Sequence, residues 1–348
     1  VWASGIRTVE GTLVVDVSAW DSTSVPGTWE VDDLAAAFAS TGGAFAIAEG
    51  TQTLEITGAR QAGMPANARW WPHLSEDFID VAYQTVTPDT TPPERHVGYL
   101  PESRRLQVSG TIQIAEVDTI RFSQRDPVRI ASRALLHALE RRGITVDGGV
   151  RVAWDEGEDV GPGTCTTGAE CSQGRPVAKL ESPRMAEIIQ GLLEPSQNWI
   201  TEQVVRTLGA ELGEEGSWDE GFRVEREFFV DEVGVDSLDI VLRDGSGISA
   251  KSLVTPRALI RILDYMRDSP NAGIWRNALA SPGEEESTLR SRLTSLESRV
   301  FAKTGTITHV NSLSGYLFTD SGRELIFSIL TNGSGLPSRS VRRGIDRI

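Results

Sequence analysis

The pattern of apolar and polar positions predicts a β-rich first half and a second half in which helices precede a late antiparallel sheet. Short runs in which apolar and polar residues alternate are typical of strands. In the first half they occupy residues 11–17, 53–56, 78–83, 105–122, 144–146 and 150–152. Near the end of the chain, three more strand-like runs follow one another, with a turn signal over residues 320–322. They occupy residues 298–302, 312–319 and 324–331.

Helices are predicted where apolar residues recur three to four positions apart behind a capping residue. The clearest begin at Asp126-Pro127 and Thr255-Pro256, because Asp or Thr suits the N-cap and Pro suits the first helical position. Gly143 should end the first, and the second should run through Met266. Further helices are predicted over residues 34–40 behind Asp32 or Asp33, after Ser182-Pro183, and from residue 198 to Gly209, and an amphipathic stretch follows over residues 218–231.

The composition is that of a globular protein long enough for two or three domains, with 348 residues, 39% of them hydrophobic and 24% charged. Its sequence contains no run of about 18 apolar residues, so no transmembrane helix is predicted. The net charge of -15 argues against nucleic-acid binding, since phosphate binding needs clustered Lys and Arg.

The two cysteines, Cys165 and Cys171, lie in a segment rich in Gly, Thr and Ser. A local disulfide between them fits an exported protein, and two free thiols are the alternative. Without nearby His they do not predict a zinc site, and we predict no metal and no cofactor. The surrounding acidic, glycine-rich residues 156–173 are the best candidate for a domain boundary.

The candidate chemistry is concentrated in Lys303-Thr304-Gly305-Thr306, at the end of a predicted strand. The chain has three lysines among 34 basic residues, so a Lys at this position favours a chemical role over a general need for charge. An ammonium, hydroxyls and a glycine at a sheet edge suit a substrate carboxylate and a closely approaching substrate backbone. The alternative interpretation of this motif alone is an ordinary turn at the end of a strand.

Two further motifs precede this one in order. They are Ser196-Gln197-Asn198 at a predicted helix start and the loop Asp-Gly-Ser-Gly-Ile-Ser at residues 244–249. With these three motifs the chain resembles the penicillin-binding D-alanyl-D-alanine carboxypeptidases/endopeptidases of the DacB type (peptidase family S13, class C low-molecular-mass penicillin-binding proteins). Residues 5–16, 125–127 and 143–148 are also similar to that family, so the likeness covers nearly the whole chain.

The resemblance implies an α+β fold, namely a penicillin-binding/β-lactamase-like transpeptidase domain whose antiparallel sheet is flanked by helices, with an inserted β-rich accessory region. Residues 1–178 would form the accessory region, either as one module or as two nested modules with the inner one at about 30–110. Residues 179–348 would be the C-terminal part of the catalytic domain.

The function implied by the resemblance is a serine-type D-Ala-D-Ala carboxypeptidase/endopeptidase that acts on peptidoglycan stem peptides through an acyl-enzyme. Such an enzyme needs no cofactor and is inhibited covalently by β-lactams. We therefore expect an exported protein, periplasmic or otherwise extracytoplasmic, whose partners are peptidoglycan peptides, with no nucleic acid and no transmembrane segment.

The resemblance also assigns roles to the three residues that match the catalytic motifs. Ser196 would relay a proton between the lysine of the nucleophile motif and the leaving amine. Asn198 would hydrogen-bond the substrate amide or that lysine, and Lys303 would attract the terminal carboxylate. An N-cap serine before an ordinary helix is the alternative interpretation of Ser196.

Other positions would bind substrate. The Thr304 and Thr306 hydroxyls would assist Lys303, the Thr306 backbone N–H would be one oxyanion-hole donor, and Gly305 would leave room for substrate beside the strand. Ser246 and Ile248 would line the pocket, with a purely structural turn as the alternative.

Two residues of the first half are candidates for a substrate side-chain pocket. Trp29 and Asp32 are expected to hold the amino end of a peptide stem, and the alternative is a core Trp and a helix-capping Asp.

The nucleophile motif Ser-x-x-Lys is absent from the sequence. The three lysines are preceded at that spacing by Pro176, Ile248 and Val300. One explanation is that the chain lacks an N-terminal segment, which the Val at position 1 favours because neither Met nor a signal peptide stands there. The other is a scaffold that has lost its nucleophile and only binds peptidoglycan. We expect this chain by itself to be inactive.

A serine β-lactamase is a third hypothesis, since such enzymes share the Lys-Thr-Gly motif. The large N-terminal insert and the loop at residues 244–249 favour the carboxypeptidase group instead.

Overall fold

The computed structural model describes residues 1–71, 79–86, 94–99, 105–154 and 176–348. It contains two compact units. One comprises residues 1–25 and 29–180, and the other residues 26–28 and 181–348. Cys165 and Cys171, with the disulfide predicted for them, lie outside the described residues. Within the described ranges, no helix is long and apolar enough to cross a membrane.

The first unit is mainly β. Its elements are β1 (Thr8–Val9), β2 (Leu13–Asp16), β3 (Thr51–Thr57), β4 (Asn67–Trp71), β5 (Ile79–Val86), β6 (Arg95–Tyr99), β7 (Leu106–Gln113), β8 (Val117–Ser123), α1 (Pro127–Arg141), β9 (Thr145–Val146) and β10 (Val150–Ala153). Antiparallel β4-β3-β8 forms one three-stranded sheet and β5-β7-β6 a second, in which β5 and β7 are parallel. Short parallel pairs join β1 to β9 and β2 to β10.

The core of this unit lies where alternate residues of the two larger sheets meet. Leu54, Ile56 and Phe122 from the first sheet pack with Leu106 and Val108 from the second, and all are at most 1% exposed. The strict alternation of buried positions is what the sequence pattern predicts for strands with one covered face.

The helix predicted over residues 34–40 is wrong. Two short 3-10 turns, Val31–Asp33 and Ala37–Ala39, stand there instead. Between them Ala36 is extended and forms an antiparallel bridge with Phe122, while Ser123 donates its backbone N–H to Ala35. Pairing with the end of β8 therefore outweighs the helix propensity of the alanines.

The second unit combines helices with an antiparallel sheet. Its elements are α2 (Met185–Leu193), α3 (Asn198–Leu212), α4 (Trp218–Glu227), β11 (Ile240–Val241), β12 (Leu253–Val254), α5 (Pro256–Asp268), α6 (Ala272–Ala278), β13 (Val300–Ile307), β14 (Val310–Phe318), β15 (Glu324–Thr331) and α7 (Ser338–Ile345). The sheet runs β13-β14-β15 with both pairs antiparallel, as predicted, and β11 pairs with β12. The α+β class is confirmed.

Most predicted helix starts hold. Asp126 caps α1 by accepting from the Arg129 N–H at 3.2 Å, and Thr255 caps α5 by accepting from the Ala258 N–H at 3.1 Å. The start at Ser182-Pro183 is wrong, because α2 begins at Met185. The Arg184 N–H is satisfied instead by the Glu187 carboxylate at 3.0 Å.

The predicted stop of α3 at Gly209 is also wrong, since the helix continues to Leu212. Gly209 is buried, and a Cβ there would lie 2.7 Å from the Glu215 carbonyl oxygen. The absence of a side chain at Gly209 therefore lets the backbone at Glu215 pack against the helix. Gly213 follows the helix end.

Candidate active site

Lys303 lies in the middle of β13, which pairs with β14 along its whole length. Ala302 is fully buried, and because side chains alternate along a strand, Lys303 points to the opposite face. On that face its cross-strand neighbours are Ser314 and, one strand further, Ser328, whose hydroxyl oxygens lie 2.9 Å apart. The sheet thus offers the ammonium a polar surface.

The Lys303 ammonium contacts the serine of the helix-start motif. Its Nζ donates to Ser196 Oγ at 2.6 Å and to the Thr304 carbonyl oxygen at 2.8 Å. Burial lowers the pKa of Lys303 to about 8, because a charge removed from water is destabilised. The two residues are 107 positions apart in sequence, and the fold places them in direct contact.

Ser196 occupies an unusual backbone position between α2 and α3. Its φ of 62° lies in the left-handed region, which costs a residue other than Gly roughly 1–2 kcal/mol. Gln197, not Ser196, is the N-cap of α3, and no side chain caps that helix. The N-cap interpretation of Ser196 is therefore wrong, and its hydroxyl instead accepts a hydrogen bond from Lys303.

The first turn of α3 carries the third residue of the same motif. Asn198 is its first helical residue and is half-buried. The Thr201 hydroxyl, one turn later, donates to the Gln197 carbonyl oxygen at 3.0 Å and so ties the motif to the helix. The order Ser-Gln-Asn thus places Ser196 in the connection between two helices and Asn198 on the helix itself.

The loop at residues 244–249 is folded around a buried carboxylate. Asp244 accepts from the Ser249 N–H at 2.8 Å and from the Ser252 hydroxyl at 2.7 Å. At Gly245 a Cβ would lie 2.7 Å from Val205 Cγ2 and 3.1 Å from the Thr201 carbonyl oxygen. The loop therefore lies directly against the first two turns of α3, beyond Asn198.

Hydroxyl contacts support the rest of the lysine motif. Thr304 Oγ1 donates to Thr288 Oγ1 at 2.9 Å, and Thr306 Oγ1 donates to Asn311 Oδ1 at 3.4 Å. Asn311 is 1% exposed. At Gly305 a Cβ would collide with the Ser312 hydroxyl, so the strand here has no room for a larger side chain unless Ser312 moves.

The structure thus brings together the three motifs, with Ser196 against Lys303 and the loop against α3. Ser246 and Ile248 are half-buried parts of that loop. Trp29 and Asp32 belong to the first unit. Trp29 is 7% exposed, whereas Asp32 is exposed within a 3-10 turn that no side chain caps.

Sequence reasoning assigned no role to Glu202 or Thr288. The sequence of α3 could have pointed to Glu202, because an acidic residue three positions before Val205 falls on the apolar face of the helix, which is the buried one. No sequence feature pointed to Thr288, since its contact with Thr304 arises only from tertiary packing. Among the described residues no group of three or more His, Cys, Asp or Glu is arranged to hold a metal ion.

Comparison with known proteins shows similarity to carboxypeptidases along nearly the whole chain. A family model described as the D-Ala-D-Ala carboxypeptidase 3 (S13) family matches residues 1–348. The D-alanyl-D-alanine carboxypeptidase of Actinomadura sp. (strain R39) is 31% identical over 97% of this chain. The penicillin-sensitive carboxypeptidase A of Dictyostelium discoideum is 23% identical over 93% of it. The chain spans 62% of the length of each of these two relatives.

Solved structures share the fold. Penicillin binding protein 4 (dacB) from Haemophilus influenzae is similar with a TM-score of 0.78 and 21% identity, over 97% of this chain and 72% of that one. The same protein complexed with a novel β-lactam gives a TM-score of 0.73 and 20% identity, over 97% and 70%. The predicted penicillin-binding fold is therefore confirmed.

Proposed function

Because this chain belongs to the D-Ala-D-Ala carboxypeptidase 3 (S13) family, we propose that it forms one wall of the acyl-transfer site of a serine-type D-Ala-D-Ala carboxypeptidase/endopeptidase. The substrates are peptidoglycan stem peptides, and the reaction passes through an acyl-enzyme. The observation that carries this proposal is the 2.6 Å hydrogen bond from the half-buried Lys303 ammonium to Ser196 Oγ.

In this mechanism Ser196 moves a proton. Because Lys303 donates to Ser196 Oγ, the hydroxyl proton of Ser196 has to point elsewhere, and it is available for the leaving amine. As this proton departs, the lysine of the Ser-x-x-Lys motif supplies another to Oγ, so Ser196 relays a proton and ends uncharged. The Lys303 ammonium favours any negative charge that develops on Oγ during the transfer. Asn198, two residues on, hydrogen-bonds the substrate amide and orients it.

Lys303 has a second role in substrate binding. A partly desolvated ammonium attracts the terminal carboxylate of a D-Ala-D-Ala peptide more strongly than an exposed one. Thr304 and Thr306 supply hydroxyls on the same strand, and the substrate backbone lies along β13 beside Gly305. In this proposal the Thr306 backbone N–H is one oxyanion-hole donor.

The nucleophile in this scheme is the serine of a Ser-x-x-Lys motif, which the 348 residues do not contain. That absence supports a second candidate, a homologue that binds peptidoglycan without cleaving it. Both candidates are expected outside the cytoplasm, where their substrate lies.

Covalent labelling by a fluorescent penicillin separates the two candidates. The product of the complete natural reading frame is incubated with the reagent and analysed by denaturing gel and intact mass. We expect a stoichiometric adduct on the serine of a Ser-x-x-Lys segment, because β-lactams acylate that nucleophile. A folded protein that takes up no label would refute the enzyme and leave the binding protein.

The pH profile tests the part of Lys303. Above about pH 8 its ammonium loses the proton, because burial has lowered the pKa to about 8. The neutral amine no longer attracts a carboxylate, so kcat/KM for a D-Ala-D-Ala peptide is expected to fall as pH rises through this value. Steady-state assays between about pH 6 and pH 10 measure it. A peptide amidated at its C-terminus serves as the control, because it offers Lys303 no carboxylate and retains only the dependence that arises from the contact with Ser196, so its fall should be smaller. A flat profile for the free acid would contradict the assignment.

A further inference from the structure

Glu202 is a buried carboxylate outside the three motifs. Its side chain is 0% exposed and accepts three hydrogen bonds. Oε1 accepts from the Ser246 N–H at 2.8 Å, and Oε2 accepts from the Gly245 N–H at 3.1 Å and from Trp218 Nε1 at 2.7 Å. One side chain of α3 therefore holds two successive backbone amides of the 244–249 loop.

These bonds decide where the loop lies, whereas Asp244 decides its shape. The contacts of Asp244 with Ser249 and Ser252 close the loop upon itself and do not attach it to a helix. Glu202 attaches it to α3 one turn after Asn198, at a point where the absence of a side chain at Gly245 allows the backbone to approach.

The surroundings of Glu202 explain why the ionised form fits. The three geometric hydrogen bonds to its oxygens all come from N–H donors, and the Ser246 side chain adds a further favourable interaction with the ionised form. Burial raises the pKa of Glu202, the hydrogen bonds oppose that effect, and the nearby Asp244 carboxylate adds to it. Glu225 on α4 also faces it, and burial together with Glu202 raises the pKa of Glu225 to about 7.

The third donor is itself held in place. The Arg206 guanidinium lies 4.6 Å from the centroid of the Trp218 ring and donates to the Gly216 carbonyl oxygen at 3.1 Å. Arg206 and Trp218 are 2% and 6% exposed. The indole N–H therefore meets Glu202 in a fixed orientation, which adds rigidity to the carboxylate.

We infer that Glu202 is a positioning residue of the acyl-transfer site: it fixes the 244–249 loop, with Ser246 and Ile248, against the start of α3 that carries Asn198. The inference rests on the proposed function for its catalytic consequence. A buried carboxylate is needed here, since in either orientation the amide group of a Gln would turn its NH2 towards at least one of the three N–H donors.

The structural part is tested by amide hydrogen exchange at residues 245 and 246 in this chain. For Glu202→Gln we expect exchange at least tenfold faster than in the wild type. The matched control is Asp346→Asn, which loses a half-buried carboxylate bonded to Arg292 in the same unit. It should leave these two amides unchanged. In the wild type, protection corrected for intrinsic exchange should also fall on acidification, as Glu202 takes up a proton, and Glu202→Gln should lack that dependence.

The catalytic part is tested by penicillin acylation of the complete natural protein. Glu202→Gln should lower the second-order acylation constant at least tenfold, with Asp346→Asn near the wild type. Should Glu202→Gln not fold, Glu202→Asp replaces it. Aspartate keeps the charge but withdraws the carboxylate by one methylene. Faster exchange at residues 245 and 246 and a lower acylation constant are expected for this variant as well.

The outcomes separate the two claims. An unlabelled wild type refutes the proposed function, and the exchange data still decide whether Glu202 holds the loop. A labelled wild type with a variant acylated at the same rate overturns the positioning role. Unchanged exchange at residues 245 and 246 in the variants overturns it as well.

Discussion

Replacing Lys303 by Ala is expected to lower the penicillin acylation constant of the complete protein by about 10²-fold or more. The change removes the donor to Ser196 Oγ and the buried positive charge together. Removing one preorganised donor that stabilises developing charge typically lowers a rate by about 10²–10³, and here the substrate carboxylate loses its cation as well. Acylation is followed by stopped-flow fluorescence or by quenched labelling over time.

The chain offers a matched control for this variant. Lys251 lies in the same unit and is exposed, so Lys251→Ala makes the same chemical change where no buried contact depends on it. It should be acylated at the wild-type rate. Lys303→Arg should stay impaired despite its charge, because a planar guanidinium does not reproduce a compact ammonium. Equal acylation rates for Lys303→Ala and Lys251→Ala would show that Lys303 takes no part in acylation.

Replacing Gly221 by Ala is expected to destabilise the second unit by about 2 kcal/mol. Gly221 lies in α4 where it crosses α3, and a Cβ would collide with the Val205 carbonyl oxygen and lie 2.6 Å from Val205 Cγ1. Overpacking of this kind costs roughly 1–3 kcal/mol or more, while Ala favours a helix by only about 1 kcal/mol. The unfavourable contact is therefore expected to dominate. Urea unfolding followed by circular dichroism measures the change.

Gly191 in α2 provides the opposite case. It is also helical, but a Cβ there would meet nothing within 4 Å. Gly191→Ala should therefore stabilise the unit by up to about 1 kcal/mol through helix propensity alone. The two variants differ only in what surrounds the new methyl group. If both shifted the urea midpoint in the same direction, the close approach of α3 and α4 would be contradicted.

The Gly221 variant also bears on the site. Trp218, at the start of α4, donates to Glu202 at 2.7 Å, and Glu202 holds the 244–249 loop. Moving α4 away from α3 is therefore expected to loosen that loop, and amide exchange at residue 246 should rise in Gly221→Ala but not in Gly191→Ala.

Local sequence signals predicted several elements with nearly correct ends. Asp126 and Thr255 cap the helices that they were expected to open, and β15 covers residues 324–331 as the alternating pattern indicated. These features depend on neighbours within a few positions, where capping geometry and side-chain alternation act directly. The order of the three motifs, and with it the family, was also readable without a structure.

Contacts between residues far apart in sequence were not readable in this way. The alanines at residues 34–40 pair with β8 instead of forming a helix, and Gly209 permits close packing instead of ending one. Ser196 resembles an N-cap, yet its left-handed backbone directs the hydroxyl to a lysine 107 positions away.

The sequence by itself determined the fold class and the family, because both depend on residue type and short-range order, and it indicated the residues that we propose carry the chemistry. Only the tertiary structure decided that Ser196 meets Lys303, that Glu202 holds the 244–249 loop, and that burial lowers the pKa of Lys303. These depend on distances and desolvation across the unit, and both arise only when separate elements pack together.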